Sequence, residues 1–144
     1  MKNITLKTVN PLKNLVRINE LLLQLNPDKE EKQIQQMLEQ MHTFKNYECF
    51  GLYEDDKIIG ISSGWTTIRI YCGKQLELDN VVIDKKLQSK GLGKIFFKKI
   101  EEWALQKGYQ SISLNTYLSN SRSHKFYFNQ GCNILGFNFR KLIK

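Results

Sequence analysis

The stretch LELDNVVIDKKLQSKGLGKIFFKK spans residues 76–99 and sets the arrangement of the whole chain. Its first eight residues, 76–83, are apolar and β-branched enough to predict a strand that enters a core. After a short polar link comes QSKGLG, residues 88–93, and from Leu92 onward apolar side chains recur at helical spacing. The predicted order is therefore strand, glycine-containing loop and helix.

A loop of this kind is suited to bind a phosphate or pyrophosphate group. The start of the helix presents unpaired N–H groups and the positive end of the helix dipole, and glycine lets a ligand approach the backbone closely. Two common phosphate loops are excluded, because the chain has no GxxxxGK[ST] pattern and because Ser89 replaces the first glycine of GxGxxG. A plain helix start without a ligand is the alternative.

Length and composition predict one globular domain, residues 1–144. The chain has 144 residues, of which 41% are hydrophobic, so it is long and apolar enough to bury a core. It has no run of about 18 apolar residues, and its first residues, MKNITL, lack the apolar run of a signal peptide. We therefore expect a cytoplasmic protein that does not span a membrane.

The cysteines argue against a disulfide framework and against a metal site. Cys49, Cys72 and Cys132 are odd in number and have no paired spacing. Reduced, buried and inert thiols are the simplest interpretation, and no metal is predicted.

Charge is unevenly distributed along the chain. Residues 1–84 hold ten Lys/Arg and twelve Asp/Glu, a net charge of −2, and residues 85–144 hold twelve Lys/Arg and two Asp/Glu, a net charge of +10. Residues 85–99 contain six lysines and no acidic residue. A basic patch fits a nucleic acid, but because it coincides with the loop, a polyphosphorylated small ligand explains the same charges on a smaller footprint.

Hydrophobic periodicity and turn residues predict the other elements. Ahead of the loop they predict a strand at 3–9, a helix over 12–23, a second helix capped by Asp28 and carrying apolar residues from 34 to 41, and strands at 47–54 and 57–70. Together with 76–83, the last two strands should form an antiparallel meander.

After the loop, the predicted elements are a helix at 94–107, a strand at 110–117, a short helix at 121–130 capped by Asn120 or Ser119, and a last strand at 134–143. Because a helix joins the strand 76–83 to the strand 110–117, these two should be parallel, with a right-handed crossover.

Two motifs carry a resemblance to a known family. Gln88, Gly91 and Gly93 form Q-x-x-G-x-G between a strand and a helix, which resembles the central motif of the GNAT superfamily of acetyl-CoA-dependent N-acetyltransferases. A second segment resembles that family's N-x-x-A-x-x-h-Y-x-x-x-G pattern, with serine in place of alanine; its residues are Asn120, Ser123, Phe126, Tyr127 and Gly131. The resemblance is sharp over residues 76–132, although Cys132 replaces the usual phenylalanine.

The resemblance implies an α/β fold. Its sheet is mixed and mostly antiparallel, flanked by helices, and a central parallel pair of strands splays at the cofactor site. The chain leaves room for one last strand where the family usually has two.

The resemblance also implies acetyl-CoA as cosubstrate. The loop and Lys94 would take the pyrophosphate, and the backbone of residues 81–83 would pair with the pantetheine amides. The cofactor-binding residues implied in this way are Val81, Val82, Ile83, Gln88, Ser89, Lys90, Gly91, Leu92, Gly93, Lys94, Asn120 and Tyr127.

In the family's chemistry, a neutral amine attacks the acetyl carbonyl directly. Tyr127 is the candidate that protonates the departing thiolate, and Glu77 or Asp79, or a water that one of them orients, is the candidate base. Other roles stay open: Tyr127 as a core residue, the two carboxylates as solvated strand residues, and Asn120 as a helix N-cap.

Three hypotheses of function follow. The first is an N-acetyltransferase that acts on a cationic amine, either a small molecule or a peptide or protein amine, because the acceptor half of the chain is slightly acidic. The second is a CoA-binding sensor or interaction domain without catalysis. The third, a nucleic-acid-binding domain, is ranked last, because Phe96 in the lysine-rich helix belongs to the core face. No nucleic-acid or membrane partner is expected, and a homodimer is left open.

Overall fold

The computed structural model describes residues 2–144, and as far as the short helix at 121–129 its helices and strands follow one another in the predicted order. In chain order they are β1 Ile4–Thr8, α1 Leu15–Leu25, α2 Glu31–His42, β2 Tyr47–Glu54, β3 Lys57–Arg69, β4 Gly73–Ile83, α3 Leu92–Gln106, β5 Ser111–Leu114 and α4 Ser121–Asn129. Short 3-10 turns at Pro11–Asn14 and Lys85–Leu87 precede α1 and follow β4.

The five strands form one sheet in the order β1-β2-β3-β4-β5. β1 to β4 pair antiparallel. β5 runs parallel to β4, and at the start of this pair the backbone N–H of Gln110 donates to the carbonyl oxygen of Lys74 at 2.8 Å. This confirms the predicted fold class, a mixed and mostly antiparallel sheet with helices around it.

The first two helices form where apolar residues recur every three or four positions. α1 buries Ile18 and Leu21, and α2 buries Ile34 and Leu38. The predicted cap of α2 at Asp28 is wrong. Glu30 is the N-cap, because its side chain accepts from the backbone of Gln33 while the Gln33 side chain accepts from the N–H of Glu30.

The two faces of the sheet are covered by different helices. On one face, Ile18, Leu21, Leu22, Ile34 and Leu38 of α1 and α2 share a core cluster with Tyr47, Cys49, Ile58, Ile61 and Val82 of the strands. On the other face, the rings of Phe50 and Trp103 of α3 meet edge to face with centroids 4.7 Å apart. α3 also buries Phe96, Phe97 and Ile100 there.

Two predicted strands differ from the structure. The strand expected at 110–117 is limited to Ser111–Leu114, and the strand expected at 134–143 is not formed: residues 130–144 adopt neither helix nor strand. A strand exists only where a neighbour completes its hydrogen-bond ladder, and the residues from 133 to 144 are all exposed. The sequence pattern alone does not reveal that the neighbour is missing.

The described residues fall into two compact units, one ending at Ser113 and the other beginning at Leu114. The expectation of one domain over residues 1–144 stays a prediction. Within the described part of the chain, no helix has the length and apolar character needed to cross a bilayer.

Candidate active site

The loop between β4 and α3 has an unusual backbone. Ser89 and Gly91 both adopt left-handed φ angles, 69° and 75°. Gly91 is the N-cap of α3 and supplies no side chain to the first turn. Because most side chains avoid this region of φ, glycine suits position 91.

Space and charge at this helix start fit an anion. A Cβ built on Gly91 would meet no atom within 4 Å, so the space beside Gly91 at the helix start is open. Lys90 and Lys94 are exposed beside it, while Leu92 is buried and holds the helix start against the core. N–H donors, the helix dipole and two lysines together suit a pyrophosphate.

A buried carboxylate anchors the segment that leads into this loop. The side chain of Asp84 is 5% exposed, and its Oδ2 accepts from Arg17 Nη2 of α1 at 2.7 Å. Its Oδ1 accepts from Gln24 Nε2 at 3.3 Å and from the N–H of Lys86 at 3.1 Å. Burial alone would raise the pKa of Asp84, but the hydrogen bonds from Arg17, Lys86 and Gln24 outweigh it and lower the pKa to about 2.

Two glutamines add to this anchor. The Oε1 of Gln24 accepts from the N–H of Lys85 at 2.8 Å, and Gln88 Nε2 donates to the carbonyl oxygen of Ile83 at 3.2 Å. The side chain of Gln88 therefore holds the loop against the end of β4. Arg17, Gln24 and Asp84 were not predicted from the sequence as residues of this anchor. The one sequence signal for it was an aspartate at the end of a predicted strand.

β4 contains a β-bulge at Asn80. The pairing with β3 passes from Ile61 opposite Val82 to Ser63 opposite Asp79, so β4 has one residue more than β3 over this interval. Asn80 has a left-handed φ of 54°. A bulge leaves its extra residue outside the ladder and bends the strand, so the backbone around Asn80 is not fully engaged with β3.

Glu77 and Asp79 lie on the same face of β4, just ahead of the bulge. Glu77 stands opposite Trp65 and Asp79 opposite Ser63, and the buried Leu78 between them points to the other face. The alternation expected from the sequence therefore holds as far as Asp79.

The bulge changes the face that later residues of β4 occupy. Val82 packs into the cluster under α1 and α2 with Ile18. Ile83 lies on the α3 side, since a Cβ built on Gly60 would come within 2.7 Å of Ile83 Cδ1 and 3.5 Å of Phe96 Cε2. Regular alternation would have put Ile83 on the face of Glu77.

β5 covers only the first part of β4. β5 has four residues and β4 has eleven, and their pairing begins beside Lys74. Strand pairing of that length ends before Val81. On the edge of β4 that faces β5, the backbone of residues 81–83 therefore has no hydrogen-bond partner from β5.

A group of aromatic rings lies on the sheet near the two carboxylates, with Trp65 opposite Glu77. The Trp65 ring lies 4.9 Å from that of Tyr47 and 5.9 Å from that of Phe44, between centroids. Burial raises the pKa of Tyr47 above its usual range, and the neighbouring Cys49 and Asp79 add to the shift. Tyr47 is therefore a protonated hydroxyl at neutral pH. Sequence reasoning did not single out Trp65 or Tyr47.

The second unit holds the other two predicted site residues. Asn120 caps α4, since its Oδ1 accepts from the N–H of Ser123 at 3.1 Å, which confirms the N-cap interpretation. Tyr127 lies on α4, and burial, with a smaller contribution from Cys132, raises its pKa to about 12. Its hydroxyl is therefore protonated at neutral pH. His124 Nε2 lies 2.9 Å from the carbonyl oxygen of Tyr117, a contact that joins α4 to the preceding turn.

Comparisons with known proteins agree with the two motifs. The model of the acetyltransferase (GNAT) family matches residues 15–132. An uncharacterized N-acetyltransferase of Bacillus subtilis (strain 168), YhdJ, is 30% identical over 107 residues, which cover 74% of this chain and 75% of YhdJ.

Solved structures show the same fold. A GNAT family acetyltransferase of Staphylococcus aureus superposes with a TM-score of 0.80 at 20% identity, covering 99% of this chain and 100% of the other. The aminoglycoside N-acetyltransferase AAC(6')-Iy, solved in complex with CoA, has a TM-score of 0.79 at 17% identity, covering 98% and 96%. At these identities the superpositions support the fold, while the family model and the Bacillus relative establish the family. The chain belongs to the acetyltransferase (GNAT) family and is an acetyl-CoA-dependent N-acetyltransferase.

Proposed function

We propose that this enzyme acetylates a cationic amine, either a small molecule or a peptide or protein amine, beside Glu77 and Asp79. The observation that carries the proposal is the placement of these two carboxylates on one face of β4, immediately before the bulge. Glu77 stands opposite Trp65, whose ring packs against that of Tyr47.

Charge and ring chemistry support a cationic acceptor. Carboxylates attract an ammonium group, and the face of a tryptophan ring adds a cation–π contribution of roughly 0.5–2 kcal/mol. Residues 1–84, which include both carboxylates, have a net charge of −2, whereas residues 85–144 have +10. The basic part suits the phosphates of CoA, and the acidic part suits the amine.

The proposed reaction is a direct transfer from the thioester. Glu77 or Asp79, or a water that one of them orients, takes the proton from the ammonium, and the neutral nitrogen attacks the acetyl carbonyl. The new C–N bond forms as the C–S bond breaks, and the Tyr127 hydroxyl gives its proton to the departing thiolate. The amide nitrogen loses its second proton through solvent to the Tyr127 phenolate, which restores the phenol, and the base returns the first proton to water.

The proposed cofactor site follows the strand and the loop. The backbone of residues 88–94 and the ammonium of Lys94 would hold the pyrophosphate. The backbone of residues 81–83 would pair with the pantetheine amides, which is supported by the early end of β5 and by the interrupted ladder at Asn80. Asn120, whose carboxamide oxygen caps α4, would contact the pantetheine or phosphate arm, and Tyr127 would lie near the sulfur.

The test compares amines that differ in charge. The value of kcat/KM is measured with acetyl-CoA and matched cationic and anionic amines of one carbon skeleton, at low and high salt. The proposal predicts a preference for the cationic amine that narrows as salt screens the attraction. A preference for the anionic amine that weakens with salt would show instead that the basic part of the chain governs acceptor choice.

A further inference from the structure

The carboxylate of Glu77 has no partner in the part of the chain that the structure describes. Within residues 2–144 its oxygens take part in no ion pair and no hydrogen bond, although the residue is half-buried. Asp79, by contrast, is exposed, and its Oδ2 accepts from Asn80 Nδ2 at 3.3 Å. A carboxylate that has lost part of its hydration is stabilised by a cation. Of the two, Glu77 is therefore the one that a bound ammonium group would neutralise.

Two aromatic rings lead away from Glu77 across the sheet. Trp65 stands opposite Glu77 on β3, which puts their Cβ atoms about 5 Å apart. The Trp65 ring meets that of Phe44 edge to face, with centroids 5.9 Å apart. Phe44 is nevertheless 57% exposed. We call Trp65 and Phe44 the aromatic row; it begins at an unpaired carboxylate and ends at a largely uncovered ring.

The backbone fixes the position of Phe44 in the turn between α2 and β2. The carbonyl oxygen of Phe44 accepts from the N–H of Tyr47 at 3.3 Å. The turn is also joined to β3, since Asn46 accepts from the N–H of Thr66 at 2.8 Å and donates through Nδ2 to the carbonyl oxygen of Thr66 at 3.1 Å. The exposed ring is thus held in place without being buried, so a ligand can cover it without reordering the chain.

We propose that the aromatic row determines acceptor specificity and selects an amine that carries an aromatic group on a short alkyl chain. This inference rests on the proposed function and deepens it: Glu77 holds the ammonium group, and the aromatic row covers the aromatic group. Covering the ring of Phe44 removes apolar surface from water, and contact between aromatic rings adds to the gain. An amino sugar gains less, because its hydroxyl groups need hydrogen-bond partners when they leave water.

The experiment compares phenethylamine with ethylamine, two amines of equal charge. We expect kcat/KM with acetyl-CoA to be at least about tenfold higher for phenethylamine, the effect of burying one aromatic ring. Phe44→Ala should reduce this ratio about tenfold, mainly by raising KM for phenethylamine. Phe44→Tyr keeps the ring and should keep the preference. Tyr71→Ala is the matched control, because it removes an aromatic ring that is 79% exposed beyond the end of β3.

Calorimetry with each amine in the presence of CoA gives the same comparison from Kd and requires no turnover. Circular dichroism verifies that Phe44→Ala folds. Equal kcat/KM and Kd for phenethylamine and ethylamine would overturn the inference, and so would a preference for phenethylamine that survives Phe44→Ala or is lost equally in Tyr71→Ala.

The two proposals fail in different ways. Because both amines are cations, their ratio does not depend on the preference for cationic over anionic amines that tests the proposed function. An enzyme that prefers cationic amines but does not distinguish phenethylamine from ethylamine would keep the proposed function and lose the aromatic row as its specificity determinant. An enzyme that prefers anionic amines would overturn the proposed function and with it the role of Glu77 in this inference.

Discussion

Arg17 of α1 and Asp84 at the end of β4 form a buried ion pair, with Nη2 and Oδ2 2.7 Å apart. Arg17 Nε also donates to the carbonyl oxygen of Ile58 at 2.8 Å. The pair therefore joins α1, β3 and the segment that leads into the loop at 88–93. This single contact therefore links α1, on the proposed acceptor face, to the proposed pyrophosphate loop.

Removal of one partner should destabilise the protein strongly. Arg17→Ala leaves the carboxylate of Asp84 buried without its cation, which typically costs about 3–5 kcal/mol. The control is Glu20→Gln, since Glu20 pairs with the same guanidinium at 3.0 Å but is 55% exposed, and its loss should cost less than about 1 kcal/mol. Urea unfolding measures both variants, and equal effects would show that the buried pair is not an anchor.

The low pKa of Asp84 predicts an acid-sensitive fold. A carboxyl whose pKa falls from 3.8 unfolded to about 2 folded stabilises the protein fully above pH 4. It contributes about 2 kcal/mol there, and this is lost as the pH falls from about 4 to 2. Asp84→Asn should flatten the dependence of unfolding free energy on pH in that window. An unchanged slope would place the titrating group elsewhere.

Gly91→Glu should abolish acetyl-CoA binding, because it puts a side chain and a negative charge at the helix start. Gly108→Glu is a matched control at the other end of α3. Gly108 also has a left-handed φ, 82°, and open space around its Cβ position, so backbone strain of about 1–2 kcal/mol applies to both variants. Calorimetry should show loss of affinity at position 91 alone. A folded Gly91→Glu protein with natural affinity would remove the loop from the cofactor site.

Tyr127→Phe should lower kcat by about 10²–10⁴-fold, the usual contribution of a general acid, while acetyl-CoA affinity changes little. Tyr117→Phe serves as the control, since Tyr117 is 82% exposed and has no proposed role. Steady-state kinetics on an accepted amine gives both numbers. If Tyr127→Phe keeps the kcat of the natural enzyme, the Tyr127 hydroxyl takes no part in the mechanism.

The sequence predicted well those helices and strands whose limits depend on neighbouring residues in the chain. β2 runs from Tyr47 to Glu54 as expected, because a polar turn bounds its apolar run. α3 begins at Leu92, two residues earlier than predicted, because Gly91 takes the left-handed conformation and serves as the cap. The loop and both carboxylates lie where their motif and strand predicted.

Features that depend on distant partners were not predictable from periodicity. Arg17 and Asp84 are 67 positions apart, and neither has a pattern that names the other. The bulge at Asn80 depends on the register with β3, which alternation along one strand does not encode. The segment 134–143 has the composition of a strand, but a strand also needs a neighbour.

The central claim is that Glu77 and Asp79 select and deprotonate a cationic amine. The most direct measurement is kcat/KM for matched cationic and anionic amines in the natural enzyme and in the double variant Glu77→Gln/Asp79→Asn. Both substitutions keep the side-chain shape and remove the charge. We predict that the ratio of cationic to anionic kcat/KM falls at least about tenfold, equivalent to roughly 1.4 kcal/mol, and that kcat for the cationic amine falls as well. An unchanged ratio, with natural kcat, would contradict the assignment of this face to the acceptor.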